Sequence, residues 1–237
     1  MNGAALIAMI RTATMIPSSM VTDAEILRWI NEGYFRTAAM RPWPWLEQSG
    51  EFETVADQQA YPLATAIVDD VDPEEPAVPV ARTVRRIVAI YDDTRRVRLR
   101  QWDATLAVDT FGDEWPSSAH ATAFFIWADS LYLIPVPSED DILYRVLLHK
   151  APAALTLATD PDFDEMFHPC LAHYGEFRMW QREEDFEKAT SAYAHYLDMV
   201  ENMGEWYRSR FGDSPWQIGV PQQPRVWTNT PFLDGLS

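Results

Sequence analysis

TDAEILRWINEGYFRTAAMRPWPWLE, Thr22 to Glu47, carries the chain from one kind of regular structure into another. Thr22 followed by Glu25 has the spacing of a capping box, in which a hydroxyl and a carboxylate each satisfy a backbone N–H left orphaned at a helix start. Ile26, Leu27, Ile30, Tyr34 and Ala38 then recur at helical spacing. Pro42 and Pro44 end the pattern, because proline lacks the N–H and disfavours helical geometry in the residue before it. A helix over this stretch is predicted to stop at "RPWPWLE", Arg41 to Glu47. Trp43, Trp45 and Leu46 are expected to wedge it at a fixed angle against the β-rich part of the chain.

Working outward, residues 3 to 14 show a shorter helical pattern through Leu6, Met9 and Ile10. Beyond the prolines the period changes. Phe52 and Val55, then Tyr61 and Leu63, flank a polar "ADQQ" as in a short hairpin or two strand ends. "VDDVDPEEPAVP" reads as an exposed acidic loop. "VRRIVAIY" and "RRVRLRQ" are strand-like around a "DDT" turn, "WDATLAVDTFGDEWPSS" is a short helix or loop, and "TAFFIWADSLYLIP" is two strands joined at Asp129 and Ser130. "DILYRVLLHK" is one more strand. From Phe163 helical spacing returns through Phe167, Cys170, Leu171, Tyr174 and Phe177, breaks at "REED", and resumes from Phe186 to Tyr207, as in an αα-hairpin.

The predicted class is therefore α+β: a helical bundle from residues 1–47 and 160–211, a central antiparallel β-rich insertion over 48–159, and an extended tail over 212–237. The tail holds four prolines and no period, yet carries Trp216, Trp227 and Phe232. Burying three such rings releases on the order of 10 kcal/mol before ordering costs, so a partner surface is expected for it.

Charge separates the candidate functions. With 36 acidic and 19 basic residues the chain carries a formal −17, which disfavours tight nucleic-acid binding over most of its surface. Seven arginines (Arg82, Arg85, Arg86, Arg95, Arg96, Arg98, Arg100) stand against Asp92 and Asp93 within residues 82–100, leaving 12 basic and 34 acidic residues elsewhere, a net −22. On a strand Arg96, Arg98 and Arg100 share one side, with Val97 and Leu99 on the other. Such a basic strip on an acidic protein favours subunit contact over DNA. No apolar run approaches the roughly 18 residues of a membrane span, and the N-terminal residues lack a signal-peptide pattern.

Metal and nucleotide chemistry find no support. "DPDFDEMFH" gathers Asp160, Asp162, Asp164, Glu165 and His168, but a calcium loop needs glycine and glutamate where Glu165 and Leu171 stand. The acids read instead as the first turn of a helix beginning near Phe163. The five histidines show no zinc spacing, the single Cys170 reads as a buried apolar group, and GxSxG, GxGxxG and the phosphate-loop motif are all missing. No cofactor or metal is expected. A carbohydrate-active enzyme or binding module using acidic and tryptophan residues is the alternative, since two carboxylates suffice for a glycosidase.

The order "DAEILRWINEGYFRTAAM", "WPWLE", "QQAYPL", "LYLIPVP" and "FHPCLAHYGEF" resembles the tailed-phage head-to-tail adaptor proteins across roughly residues 20 to 210. That resemblance implies a non-enzymatic virion protein of the neck, assembled in the host cytoplasm as a ring of about twelve copies on the portal. It implies DNA passing through the lumen without sequence-specific binding, and contact with tail nozzle or tail tube proteins. It implies portal docking by the C-terminal tail through Trp216, Ile218, Val220, Arg225, Trp227, Phe232 and Leu233. Arg85, Arg86, Arg96, Arg98 and Arg100 are the candidates for the subunit interface.

Overall fold

The computed structural model of the chain describes residues 1–69, 84–112 and 114–211. Four helices form one packed unit: α1 (Gly3–Thr14), α2 (Asp23–Met40), α5 (Pro169–Arg182) and α6 (Phe186–Phe211). The fold class is α+β, with helices from both ends of the chain flanking the central strands. The Thr22 hydroxyl accepts from Glu25 N–H, and the Glu25 carboxylate accepts from Thr22 N–H at 3.0 Å, so α2 starts at the capping box.

α5 packs against each of the other three helices. Two glycines set how closely. A Cβ on Gly33 of α2 would lie 2.8 Å from Tyr174 Cγ, and one on Gly175 would lie 2.3 Å from Ile10 Cδ1 of α1. The core between them holds Leu6, Ile10, Ile26, Ile30, Tyr34, Cys170, Leu171, Tyr196 and Met203, with Trp43 and Leu46 also inside it. Burying Cys170 completely pushes its thiol pKa well up, so the thiol stays protonated and inert. The break at "REED" is a turn in which Glu184 has φ 60° and Asp185 N–H bonds Trp180 O at 3.0 Å, closing the αα-hairpin.

The central residues form a sandwich. Its larger sheet contains β1 (Glu47–Glu53), β3 (Val68–Asp69), β4 (Val84–Asp92), β5 (Val97–Arg98) and β11 (Leu143–Lys150) in the order β3-β1-β11-β4-β5. The facing sheet contains β2 (Ala60–Pro62), β6 (Arg100–Gln101), β8 (Ala123–Trp127) and β9 (Ser130–Ile134) in the order β2-β9-β8-β6. Alternating residues Phe52, Tyr144, Val146 and Leu148 face Tyr61, Phe124, Leu131 and Leu133 across the interior. α3 (Leu63–Ala66) follows β2, and the pair β7 (Ser117–Ser118) and β10 (Val136–Pro137) lies beside the facing sheet. α4 (Ala104–Phe111) covers that sheet's outer face through Ala107, over a run of rings from Trp102 to Phe111, Trp115, Phe125 and Tyr132 spaced 4.7 to 5.9 Å.

Several sequence expectations are corrected. Of the two readings of Phe52 and Tyr61, the two strand ends hold and the hairpin does not: β1 pairs with β11 and β3, whereas β2 pairs with β9 in the other sheet. The β8–β9 turn lies at Ala128 and Asp129, both at positive φ, one residue earlier than read. Helix α5 begins at Pro169 rather than near Phe163, after a 3₁₀ turn over Glu165–Phe167. The acids before it are held by cations and a phenol: Asp160 and Glu165 by the Met1 ammonium at 3.5 and 3.2 Å, Asp162 by Lys150 at 3.6 Å, Asp164 by the Tyr207 hydroxyl at 3.3 Å.

The two tryptophans of "RPWPWLE" pack into the helical core and do not straddle the two parts. Trp45 stacks on Tyr34 at 5.7 Å and meets Phe163 at 5.4 Å, while Trp43 meets Tyr207 at 6.1 Å. Trp43 Nε1 also donates to Thr37 O at 2.6 Å, satisfying one of the carbonyls that the end of α2 leaves without a helical partner. The bridge to the sandwich comes from β4. Arg85 donates to Ala38 O at 2.6 Å and Ala39 O at 3.4 Å, closing the same helix end from the other side. A second tie is Asn31, whose amide exchanges two bonds with Leu155 as the chain returns from β11.

Candidate assembly surface

The arginine run does not behave as one strand. Arg96 has φ 54° and lies in the turn after β4, so it cannot continue the alternation of Arg98 and Arg100. The chain then changes sheets. Leu99 N–H bonds Ile90 O at 2.9 Å on the β4 side, and Arg100 N–H bonds Thr122 O at 3.0 Å on the β8 side. Leu99 is buried as expected, but Val97 is 52% exposed, on the same open surface as its arginine neighbours.

The arginines divide by what they touch. Arg85 is committed to the end of α2, and one Arg98 nitrogen donates to Val88 O at 3.3 Å. The exposed guanidinium groups of Arg86, Arg95, Arg96 and Arg100 have no hydrogen-bond or carboxylate partner among the described residues. Several helical arginines are paired, Arg11 with Asp23, Arg178 with Glu32 at 3.4 Å and Arg182 with Glu25 at 3.0 Å, whereas Arg28 and Arg208 resemble the β4–β6 arginines in having no such partner among the described residues. Four arginines of one short segment thus have no partner among the described residues. Arg86 still exerts a field, since with Arg85 it adds to burial in lowering the pKa of His149. Arg82 lies outside the described residues, as do Trp216, Ile218, Val220, Arg225, Trp227, Phe232 and Leu233.

A second surface was not singled out in the sequence. The loop after β1 and the loop before β11 are tied together by Thr54, which is buried. Its hydroxyl donates to Glu139 O at 2.9 Å and accepts from Ile142 N–H at 3.1 Å, and its carbonyl accepts from Asp141 N–H at 3.0 Å. Asp140 caps Ala56 N–H at 2.7 Å. Five exposed acids gather around this tie: Glu53, Asp57, Glu139, Asp140 and Asp141. Glu53 and Asp57 lie more than 80 residues from Glu139, Asp140 and Asp141 in sequence, so only the β1–β11 register reveals the lobe.

Other chemistry-bearing groups are tied into the fold. Asp92 is buried and holds His120 Nδ1 at 2.6 Å and Arg95 N–H at 2.8 Å, fixing the loop before β8 and the turn after β4. His168 places Nε2 2.8 Å from Phe163 O; a carbonyl only accepts, so Nε2 carries the proton and Nδ1 accepts from the Met1 ammonium at 2.8 Å. Burial, and the nearby ammonium, lower its pKa. Among the described residues the carboxyl group with a raised pKa is Glu47, through burial, and no set of three His, Cys, Asp or Glu side chains is arranged to hold a metal ion. No helix among them is long and apolar enough to cross a membrane.

No curated protein matches the chain. The family model for SU10 adaptor protein matches residues 1–229, which takes in the helical core, both sheets and the exposed arginines. The chain belongs to the SU10 adaptor protein family, a family of bacteriophage structural adaptors.

Proposed function

We propose that the protein is the head-to-tail adaptor of the virion neck: it assembles as a ring on the portal, extends the DNA channel and presents the surface on which the tail docks. The match of the adaptor family model over residues 1–229 carries this reading. Its partners are the portal, tail nozzle or tail tube proteins, and further copies of itself. Residues 212–237 are the portal-docking segment, with Trp216, Ile218, Val220, Trp227, Phe232 and Leu233 as apolar anchors and Arg225 as a charged contact. Such aromatic anchors suit a desolvated interface centre.

The charge balance supports passage of DNA without retention. A lumen dominated by carboxylates repels the phosphate backbone, so the duplex finds no counter-charge along the wall. The arginines without a partner among the described residues support subunit contact, since a ring built from identical copies needs two complementary surfaces on each copy. Assembly takes place in the host cytoplasm and the product resides in the virion neck.

Co-purification with the portal protein of the same virus tests the reading. The full chain is expected to be retained by tagged portal, and a chain ended at Phe211 to lose most of that retention. Equal retention of both removes the docking role of residues 212–237, and no retention of the full chain removes the adaptor role.

A further inference from the structure

Two of the arginines without a partner among the described residues, Arg95 and Arg96, lie with neighbouring Arg98 at the same end of the larger sheet as the acid lobe but on the opposite side of it. Arg86 lies at the other end of β4 and Arg100 in the facing sheet. Glu53 closes β1, whose neighbours in order are β11, β4 and β5. Arg95 and Arg96 occupy the turn that follows β4, and Arg98 lies on β5. Three strand spacings of about 4.8 Å, roughly 14 Å, separate Glu53 at the end of β1 from Arg98 on β5, while Glu139 to Asp141 sit in the loop before β11, tied to the β1 side through Thr54. No ion pair joins the lobe acids to these arginines among the described residues, although opposite charges alone favour one. The end of the sheet is therefore laterally polar, acidic at the loops of β1 and β11 and basic at the β4–β5 turn. Exposed Val97 sits between Arg96 and Arg98, an apolar contact with charges around it.

We propose that the arginine turn of one copy, Arg95, Arg96 and Arg98 around Val97, binds the acid lobe of the next copy, Glu53, Asp57, Glu139, Asp140 and Asp141. The inference rests on the ring assembly proposed above and names its repeating contact. Within the proposed ring the contact is heterologous, each copy using its basic side on one neighbour and its acidic side on the other. Opposite charges brought together this way fix register and speed encounter. A duplex seated on the arginines is disfavoured, because the five carboxylates nearby repel its phosphates.

Charge exchange in the full-length chain provides the test. Arg95→Glu, Arg96→Glu and Arg98→Glu together, which give the turn −3, and separately Glu53→Lys and Glu139→Lys with Asp57→Asn and Asp141→Asn, which give the lobe +1, are each expected to reduce portal-bound rings at least tenfold, with unfolding midpoints kept. Mixing the two variants in equal amounts is expected to restore rings, because copies can alternate so that every junction again joins opposite charges. Rings at the wild-type level from either variant alone, or no recovery on mixing stably folded variants, overturn the inference while wild-type rings leave the adaptor reading standing. An arginine variant that assembles normally but loses retention of duplex DNA assigns the strip to phosphates and also overturns it. Wild-type chain that forms no ring with portal overturns the adaptor reading and this inference together.

Discussion

Arg85 is the exposed arginine whose role the geometry separates most sharply from assembly, and replacing it with methionine tests that separation. Its guanidinium closes two carbonyls at the end of α2 from the start of β4, one bond short at 2.6 Å and one long at 3.4 Å. A hydrogen bond from a charged donor contributes about 1.5–3 kcal/mol, and the partial exposure of this one places it near the lower end, at about 1.5–2 kcal/mol. Methionine keeps the apolar stem and removes the donors. For a chain of this size the corresponding fall in Tm is roughly 3–8 °C. Arg85→Lys keeps a cation beside the helix C-terminus, worth about 0.3–1 kcal/mol, and is expected to recover part of the loss. Arg96→Ala, by contrast, is expected to leave stability within about 0.5 kcal/mol of wild type. Urea unfolding followed by circular dichroism measures all three on the isolated chain. An Arg85→Met midpoint equal to wild type, or an Arg96→Ala loss as large as that of Arg85→Met, refutes the reasoning.

Three further outcomes follow from the same packing. Trp43→Phe keeps the ring beside Tyr207 but leaves the buried Thr37 carbonyl without its donor, at a cost of about 1–3 kcal/mol in urea unfolding. Gly33→Ala forces a methyl group against the base of the Tyr174 ring; the overpacking cost of about 1–3 kcal/mol is offset in part by the roughly 1 kcal/mol by which alanine favours a helix, so a net loss of about 1 kcal/mol is expected in the same assay. His149 and His168 both have folded pKa values below their ordinary 6.5, so the unfolded chain binds their protons more tightly. Their contribution is present above about pH 6.5 and is lost as the pH falls below it; unfolding midpoints are expected to fall between pH 7.5 and 5.5, and to fall less in His168→Gln.

What the sequence revealed followed the range of the interactions involved. The start of α2 was legible because the capping box is made within four residues, and its end because proline acts on its own neighbours. The αα-hairpin was legible for the same reason. Strand pairing was not: β1 finds its partner in β11, about 95 residues later, and nothing local distinguishes that pairing from a hairpin with the nearby β2. The acidic run before α5 misled because its charges answer the Met1 ammonium, Lys150 and Tyr207, all remote in sequence. Among the candidate site residues the surplus of arginine was plain, yet alternation alone could not separate Arg85, which closes a helix, from Arg86, Arg96 and Arg100, which have no such task. The tail residues from Trp216 to Leu233 lie outside the described residues, and Phe232 and Leu233 also lie past the matched span, so the role proposed for them rests on composition and on the resemblance.

Electron microscopy of the full-length chain mixed with the portal of its own virus is the most direct measurement of the central claim. The account predicts a closed ring of this protein seated coaxially on the portal, with the β4–β5 arginines of each copy against the Glu53 and Glu139 loops of the next and an acidic channel wall. A portal bearing no added density, or a ring whose channel wall is basic, contradicts it.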